Sequence, residues 1–137
     1  MTVYAEASAL LKLYLDEVDS DVARGLLRGD PEWWVSTCVT AVEVRRSLTR
    51  LLVGEELVRA RSEFRRDWSD VVSIAVDDAT SDRVAQLAEA TEVRTLDALH
   101  LEAAERAGAG DGLVSIVSFD VRLAEAARSL GWTVLGA

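Results

Sequence analysis

Four acidic side chains in this chain could do chemistry together, and each lies at or near the start of a helical pattern. Glu6 stands in VYAEASALLKLY, Glu43 in STCVTAVEVRRSL, Asp97 in VRTLDALHLEAA and Asp120 in VSIVSFDVRLAEAA. Carboxylates that converge cannot all stay ionised without a counter-charge. Oxygen ligands suit hard divalent cations such as Mg²⁺ and Mn²⁺. The expectation is a metal site, and sites of this make hydrolyse phosphodiesters. Each acid alone also has a plainer reading. Glu6 is then a helix-start carboxylate favoured by the helix dipole. Asp97 is a first-turn acid with Thr95 as a cap, and Asp120 caps the helix that follows Ser118-Phe119. Glu43 is a surface glutamate within reach of Arg45 or Arg46.

The elements that must position these acids alternate along the chain. Strands are predicted at Val3–Ala5, Trp33–Ser36, Val71–Val76, Leu113–Val117 and Thr133–Leu135. Helices are predicted at Ala7–Leu15, Asp19–Leu27, Thr40–Leu52, Glu55–Trp68, Asp78–Ala90, Leu96–Ala107 and Val121–Leu130. Asp19 or Ser20 could cap the second helix. Gly29-Asp30-Pro31 is a turn signal, and Gly54, Gly108 and Gly131 punctuate helices. Strands alternating with helices predict an α/β fold, a three-layer sandwich with a mostly parallel sheet covered on both faces. Strand ends and helix starts then meet at one crevice.

The chain has 137 residues, enough for one domain spanning 1–137. Half of its residues are hydrophobic (50%) and only one is proline, which argues against disorder and against a linker. No apolar run approaches the roughly 20 residues needed to cross a bilayer. The start, MTVYAEASALLKLYL, lacks a basic leader and reads as a strand and helix rather than a signal peptide, so a cytoplasmic location is expected. Cys38 is the only cysteine, which excludes a disulfide framework and a thiolate metal cluster.

The net charge of −9 argues against a broad electrostatic grip on nucleic acid, though not against a local one. Arg45, Arg46, Arg50, Arg59, Arg61, Arg65 and Arg66 crowd one central stretch. They form either a solvated helix face or a patch facing phosphate or a partner. Asp77-Asp78 ends the third strand as paired acids do in receiver-like phosphate-handling domains, but those also need a later lysine, and Lys12 is the only one. His100 reads as a structural residue, and Trp33 and Trp34 as core. No Gly-rich phosphate loop, Ser-His-Asp set or zinc-binding H-E-x-x-H helix is present.

Taken together, the four segments resemble the PIN-domain family, in particular the VapC type of toxin ribonuclease. The first family motif is matched by Tyr4-Ala5-Glu6-Ala7-Ser8-Ala9-Leu10-Leu11-Lys12-Leu13, and the second by Val42-Glu43-Val44. The third is matched by Leu96-Asp97-Ala98-Leu99-His100-Leu101, and the fourth by Ser118-Phe119-Asp120-Val121-Arg122-Leu123-Ala124. All four stand in order, nearly end to end. The first acid is Glu6 where the family usually has Asp, which moves the carboxylate by roughly an ångström in a near-octahedral Mg²⁺ site. Ala7 replaces a common hydroxyl, and Ser8 keeps one nearby.

The resemblance implies a PIN-like α/β/α sandwich with sheet order 3-2-1-4-5. It implies that Glu6, Glu43, Asp97 and Asp120 hold Mg²⁺ or Mn²⁺, with Ser8 and Ser118 orienting an acid or a water. The activity would be a metal-dependent endoribonuclease, leaving a 5′-phosphate and a 3′-hydroxyl. A cognate VapB-type antitoxin would block the crevice, and the toxin would form homodimers. The alternatives are a catalytically weak PIN domain acting as a protein-binding module, and a different phosphate-handling enzyme that uses Asp77 and Asp78.

Overall fold

Alternate residues of the first strand, β1 (Thr2–Ala5), face opposite sides of the sheet, and both sides are buried. Val3 and Ala5 join one apolar cluster and Tyr4 joins another. A strand buried on both faces needs neighbours on both edges and helices above and below. The computed structural model supplies both, and it describes residues 1–29 and 31–137. The Gly29-Asp30-Pro31 turn reading includes Asp30, which lies outside the described residues.

Along the chain, β1 is followed by α1 (Ala7–Tyr14) and α2 (Ser20–Arg28), then β2 (Trp33–Thr37), α3 (Cys38–Leu51) and α4 (Gly54–Trp68). Next come β3 (Val72–Ile74), α5 (Ser81–Thr91), α6 (Thr95–Ala107), β4 (Val114–Ser118), α7 (Val121–Ser129) and β5 (Val134–Gly136). The five strands form one sheet in the order β3-β2-β1-β4-β5, and every pairing is parallel. This is the predicted three-layer arrangement with the predicted strand order.

Helices α1 to α4 pack on the Val3/Ala5 face, through Leu10, Leu13, Leu27, Val44, Leu48 and Phe64. Helices α5, α6 and α7 cover the Tyr4 face, through Leu87, Leu101 and Leu123. Each such leucine contributes about 2 kcal/mol by leaving water. Helix α6 buries Ala98, Ala103 and Ala104 as well as Leu101. Short side chains let its backbone come close to the sheet, which brings His100 within reach of β1.

Local chemistry moved several predicted boundaries. Strand β3 is shorter than Val71–Val76 because it lies at the sheet edge and has only β2 to pair with. The helix expected at Asp78–Ala90 opens as a 3₁₀ turn at Asp78–Thr80. There the Thr80 and Ser81 hydroxyls donate to the carbonyls of Asp77 (3.0 Å) and Asp78 (2.9 Å), competing with regular helix. The last strand lies one residue later than expected. Asp19 occupies the N-cap of α2 without a side-chain cap bond, and Ser20 instead turns inward to donate to the Leu15 carbonyl at 2.7 Å. Thr95 does not cap α6; the N-cap residue is Arg94.

Trp33 is not core. It opens β2 at the sheet's rim and is 56% exposed. Trp34 is half-buried and donates its indole N–H to the Leu27 carbonyl at 2.7 Å.

Candidate metal centre

Strands β1 and β4 are neighbours, with Ala5 opposite Val117. Their carboxyl ends therefore deliver Glu6 and Ser118 side by side. The Glu6 amide still donates to the Val117 carbonyl at 3.1 Å, and the chain then turns into α1 with Glu6 as N-cap. Glu6 Oε2 accepts the Ser8 amide at 3.1 Å, the Ser118 hydroxyl at 2.8 Å and the Ser8 hydroxyl. Each hydroxyl is itself fixed by a backbone amide at the β4–α7 junction. Ser8 accepts from the Phe119 N–H at 2.8 Å and Ser118 from the Asp120 N–H at 3.0 Å. The carboxylate is only 5% exposed, so these donors are what make its burial tolerable.

Asp120 caps α7. Its Oδ1 accepts the amides of Arg122 (3.0 Å) and Leu123 (3.2 Å), a cap that stabilises a helix by about 1 kcal/mol. The capping reading and the site reading thus hold for the same side chain.

Glu43 lies in the second turn of α3 with 30% of its side chain exposed. Its Oε1 meets His100 Nε2 at 2.6 Å. Arg45 and Arg46, in reach of it on the plainer reading, are exposed, and among the described residues neither forms an ion pair with it; α6 brings the imidazole across instead. On the far side of that ring, His100 Nδ1 lies 2.8 Å from the Tyr4 hydroxyl.

A common pattern emerges from the three acids. Among the described hydrogen bonds, Glu6 uses only Oε2, Glu43 only Oε1 and Asp120 only Oδ1. One oxygen of each anchors the side chain, and the other is uncommitted. All three line one open cleft of about 400 Å³, together with Ser8, Lys12 and Phe119. Asp97 is not on that lining. It sits in the first turn of α6 and is coupled to the others through its charge.

The electrostatics are those of crowded carboxylates. Burial pushes Glu6 above the usual carboxylate range, opposed by His100 and by the hydroxyls of Ser8 and Ser118. Asp97 is pushed up by burial and then by the charges of Asp120 and Glu43, opposed by His100. His100 is pulled down by burial, but its bond to Glu43 and the charges of Glu6, Glu43 and Asp97 outweigh this and raise it. Burial, then the Glu6 charge, keeps the Tyr4 phenol well above its ordinary value.

The donor set suits a hard divalent cation, being carboxylate oxygen throughout. Among the described residues, no group of three or more His, Cys, Asp or Glu is placed close enough together to hold a metal ion by itself.

The PIN-domain family profile matches residues 3–129. The chain belongs to the PIN-domain family. It is also 35% identical to Ribonuclease VapC35 of Mycobacterium tuberculosis over 135 residues, covering 97% of this chain and 95% of that protein. It is 36% identical to Ribonuclease VapC46 of the same organism over 134 residues, with the same coverage. The resemblance to the VapC type therefore extends along nearly the whole of this PIN domain.

Some residues of the cleft were not singled out from sequence. Lys12 lines the cleft in this PIN domain, with Nζ 3.4 Å from Glu17 and 5.3 Å from the centre of the Phe119 ring. Tyr4 stands in the first matched motif, but nothing in the sequence marks its contact with His100. His100 is buried, as a structural histidine should be, yet it also holds Glu43. The paired acids Asp77 and Asp78 are exposed and lie outside the cleft lining. The seven central arginines are all exposed on α3 and α4.

Proposed function

We propose that this PIN domain is a VapC-type toxin endoribonuclease that hydrolyses RNA phosphodiesters at the cleft between β1, β4 and α3. Glu6, Glu43, Asp97 and Asp120 would hold Mg²⁺ or Mn²⁺ there. When bound, the cation supplies the counter-charge to the acids, polarises the phosphate and lowers the pKa of the attacking water. The protein's own part is to hold the acids still. Ser8 and Ser118 fix Glu6, the first-turn amides of α7 fix Asp120, and His100 fixes Glu43. Without a cation the acidic cleft repels phosphate; with one it attracts it.

The observation that carries this reading is the pattern of the three carboxylates, each anchored by one oxygen and lining one cleft with the other uncommitted. Its support from outside the geometry is the end-to-end likeness to proteins named as ribonucleases. In this reading the partner is a VapB-type antitoxin that presents a basic segment to the cleft, which a net charge of −9 favours. The toxin itself would be a homodimer. Among the described residues no helix is long and apolar enough to cross a membrane.

The test is cleavage of a labelled RNA pool by the antitoxin-free chain with Mg²⁺, with Mn²⁺ and with EDTA, beside Asp97→Asn. Discrete fragments that need the metal and disappear in the variant are expected. A folded wild-type chain that cuts no better than Asp97→Asn would instead favour a protein-binding module.

A further inference from the structure

Tyr4, His100 and Glu43 form one unbroken hydrogen-bonded line. The Tyr4 hydroxyl lies 2.8 Å from His100 Nδ1, and His100 Nε2 lies 2.6 Å from Glu43 Oε1. Tyr4 is fully buried and His100 is 2% exposed. The two rings meet edge to face, with centroids 6.0 Å apart and planes at 77°. The imidazole is thus clamped by packing as well as by its two polar contacts.

Donor and acceptor chemistry sets the direction of the line. A carboxylate only accepts, so Nε2 must donate to Glu43. In the neutral ring Nδ1 then accepts, and the Tyr4 hydroxyl must donate to it. In the charged ring Nδ1 donates to the phenolic oxygen instead. Either way the bond to Glu43 is an N–H donation, and no buried polar atom of the line is left without a partner.

The line joins three elements, and each carries an acid of the site. Glu6 lies two residues beyond Tyr4 on the β1 side. Asp97 lies one helical turn before His100 on α6. Glu43 ends the line on α3. A half-exposed glutamate would otherwise sample several rotamers.

We infer that Tyr4 and His100 are positioning residues, which hold Glu43 by its Oε1 so that Oε2 stays available to a cation in the cleft. This rests on reading the cleft as a cation site. Helix α6 is also held on the Tyr4 face by apolar side chains, among them Leu101, Ala103 and Ala104.

The experiment is Mn²⁺ calorimetry on the wild-type chain, Tyr4→Phe, His100→Gln and His100→Leu, each shown to melt cooperatively. It is paired with long-range proton–nitrogen NMR of the imidazole. His100 is the only histidine, so the spectrum contains one ring and needs no assignment. The wild-type ring is expected to show a protonated Nε2, with Glu43→Gln moving that nitrogen and Tyr4→Phe moving Nδ1. Mn²⁺ affinity is expected to fall about 10- to 100-fold in His100→Leu, the usual range for losing a residue that orients a metal ligand. His100→Gln should recover part of this, because its amide can donate in place of Nε2, and Tyr4→Phe should lose less than His100→Leu. A His100→Leu chain that binds Mn²⁺ as the wild type does overturns the inference alone. So does an equal loss in the Gln and Leu variants, which a merely structural role predicts. A wild-type chain that binds no Mn²⁺ overturns the cation reading and the inference with it.

Discussion

Glu6 and Ser118 stand 112 residues apart in the chain and share a 2.8 Å hydrogen bond at the adjoining ends of β1 and β4. The Ser118 hydroxyl is fully buried and also accepts the Asp120 amide. Ser118→Ala removes one donor from a buried carboxylate and the acceptor of that amide. We expect a loss of about 1–3 kcal/mol in urea unfolding. Stability equal to the wild type would mean that Ser8 alone secures Glu6.

The pH dependence follows from three groups whose pKa values are raised, Glu6, Asp97 and His100. A raised group holds its proton more tightly folded than unfolded, so its stabilising contribution is complete below the unfolded value and is lost as pH rises through the folded value. That loss begins near pH about 4 for the two carboxyls and near about 6.5 for His100. The metal-free chain should therefore melt at a lower temperature at mildly alkaline than at mildly acidic pH. In Glu6→Gln the part due to Glu6 is absent, so the Tm of the variant relative to wild type should climb with pH. A difference that stays flat across the range would contradict the burial account of Glu6.

Glu6→Asp restores the acid the family usually carries at this place. Aspartate caps helices well, so the bond to the Ser8 amide should survive. The bond to Ser118 depends on the longer reach and should not, with a loss of about 1 kcal/mol. The Mg²⁺ to Mn²⁺ preference should change at the same time, read by calorimetry with each ion. Unaltered affinities for both would show that the extra methylene leaves the cation's surroundings as they were.

Gly136 pairs with Ser118 across β4 and β5 and has φ of 108°. An added Cβ would stand 2.5 Å from the Ser118 carbonyl oxygen and 3.3 Å from two ring carbons of Phe119. Gly136→Ala combines a left-handed backbone with a clash against main chain, so more than about 1 kcal/mol should be lost. Because the clash falls on Ser118, Mn²⁺ affinity should drop along with the melting temperature; a drop in stability alone would separate the sheet edge from the cleft.

The parts of this site that could be read from sequence are those written within one segment. Glu6, Asp97 and Asp120 each stand where an apolar run or loop meets a helix; strand-helix alternation predicts the parallel sheet, while the order that makes β1 and β4 neighbours comes only from the family resemblance. The sequence places Glu43 on its helix, but the neighbours that its plainer reading offers are not the partner that the fold supplies. Arg45 and Arg46 are close in sequence, whereas His100 lies 57 residues away and reaches Glu43 only because α6 packs on the sheet. The line from Tyr4 was invisible for the same reason: a tyrosine in an apolar strand looks the same whether or not its hydroxyl meets an imidazole. Trp33 misled because aromatic character predicts burial on average, and only its position at the rim of β2 decides otherwise.

The sheet order also governs when the cleft can exist. Strand β1 is the first to be synthesised, yet it occupies the centre of the sheet and waits for β4 to complete its second edge. Glu6 emerges from the ribosome long before Ser118, Asp120 or His100 does. A chain made only as far as α4 contains Glu6 and Glu43 but still lacks Asp97, His100 and Asp120. The proposed cation site therefore assembles only after the β4–α7 junction has joined β1.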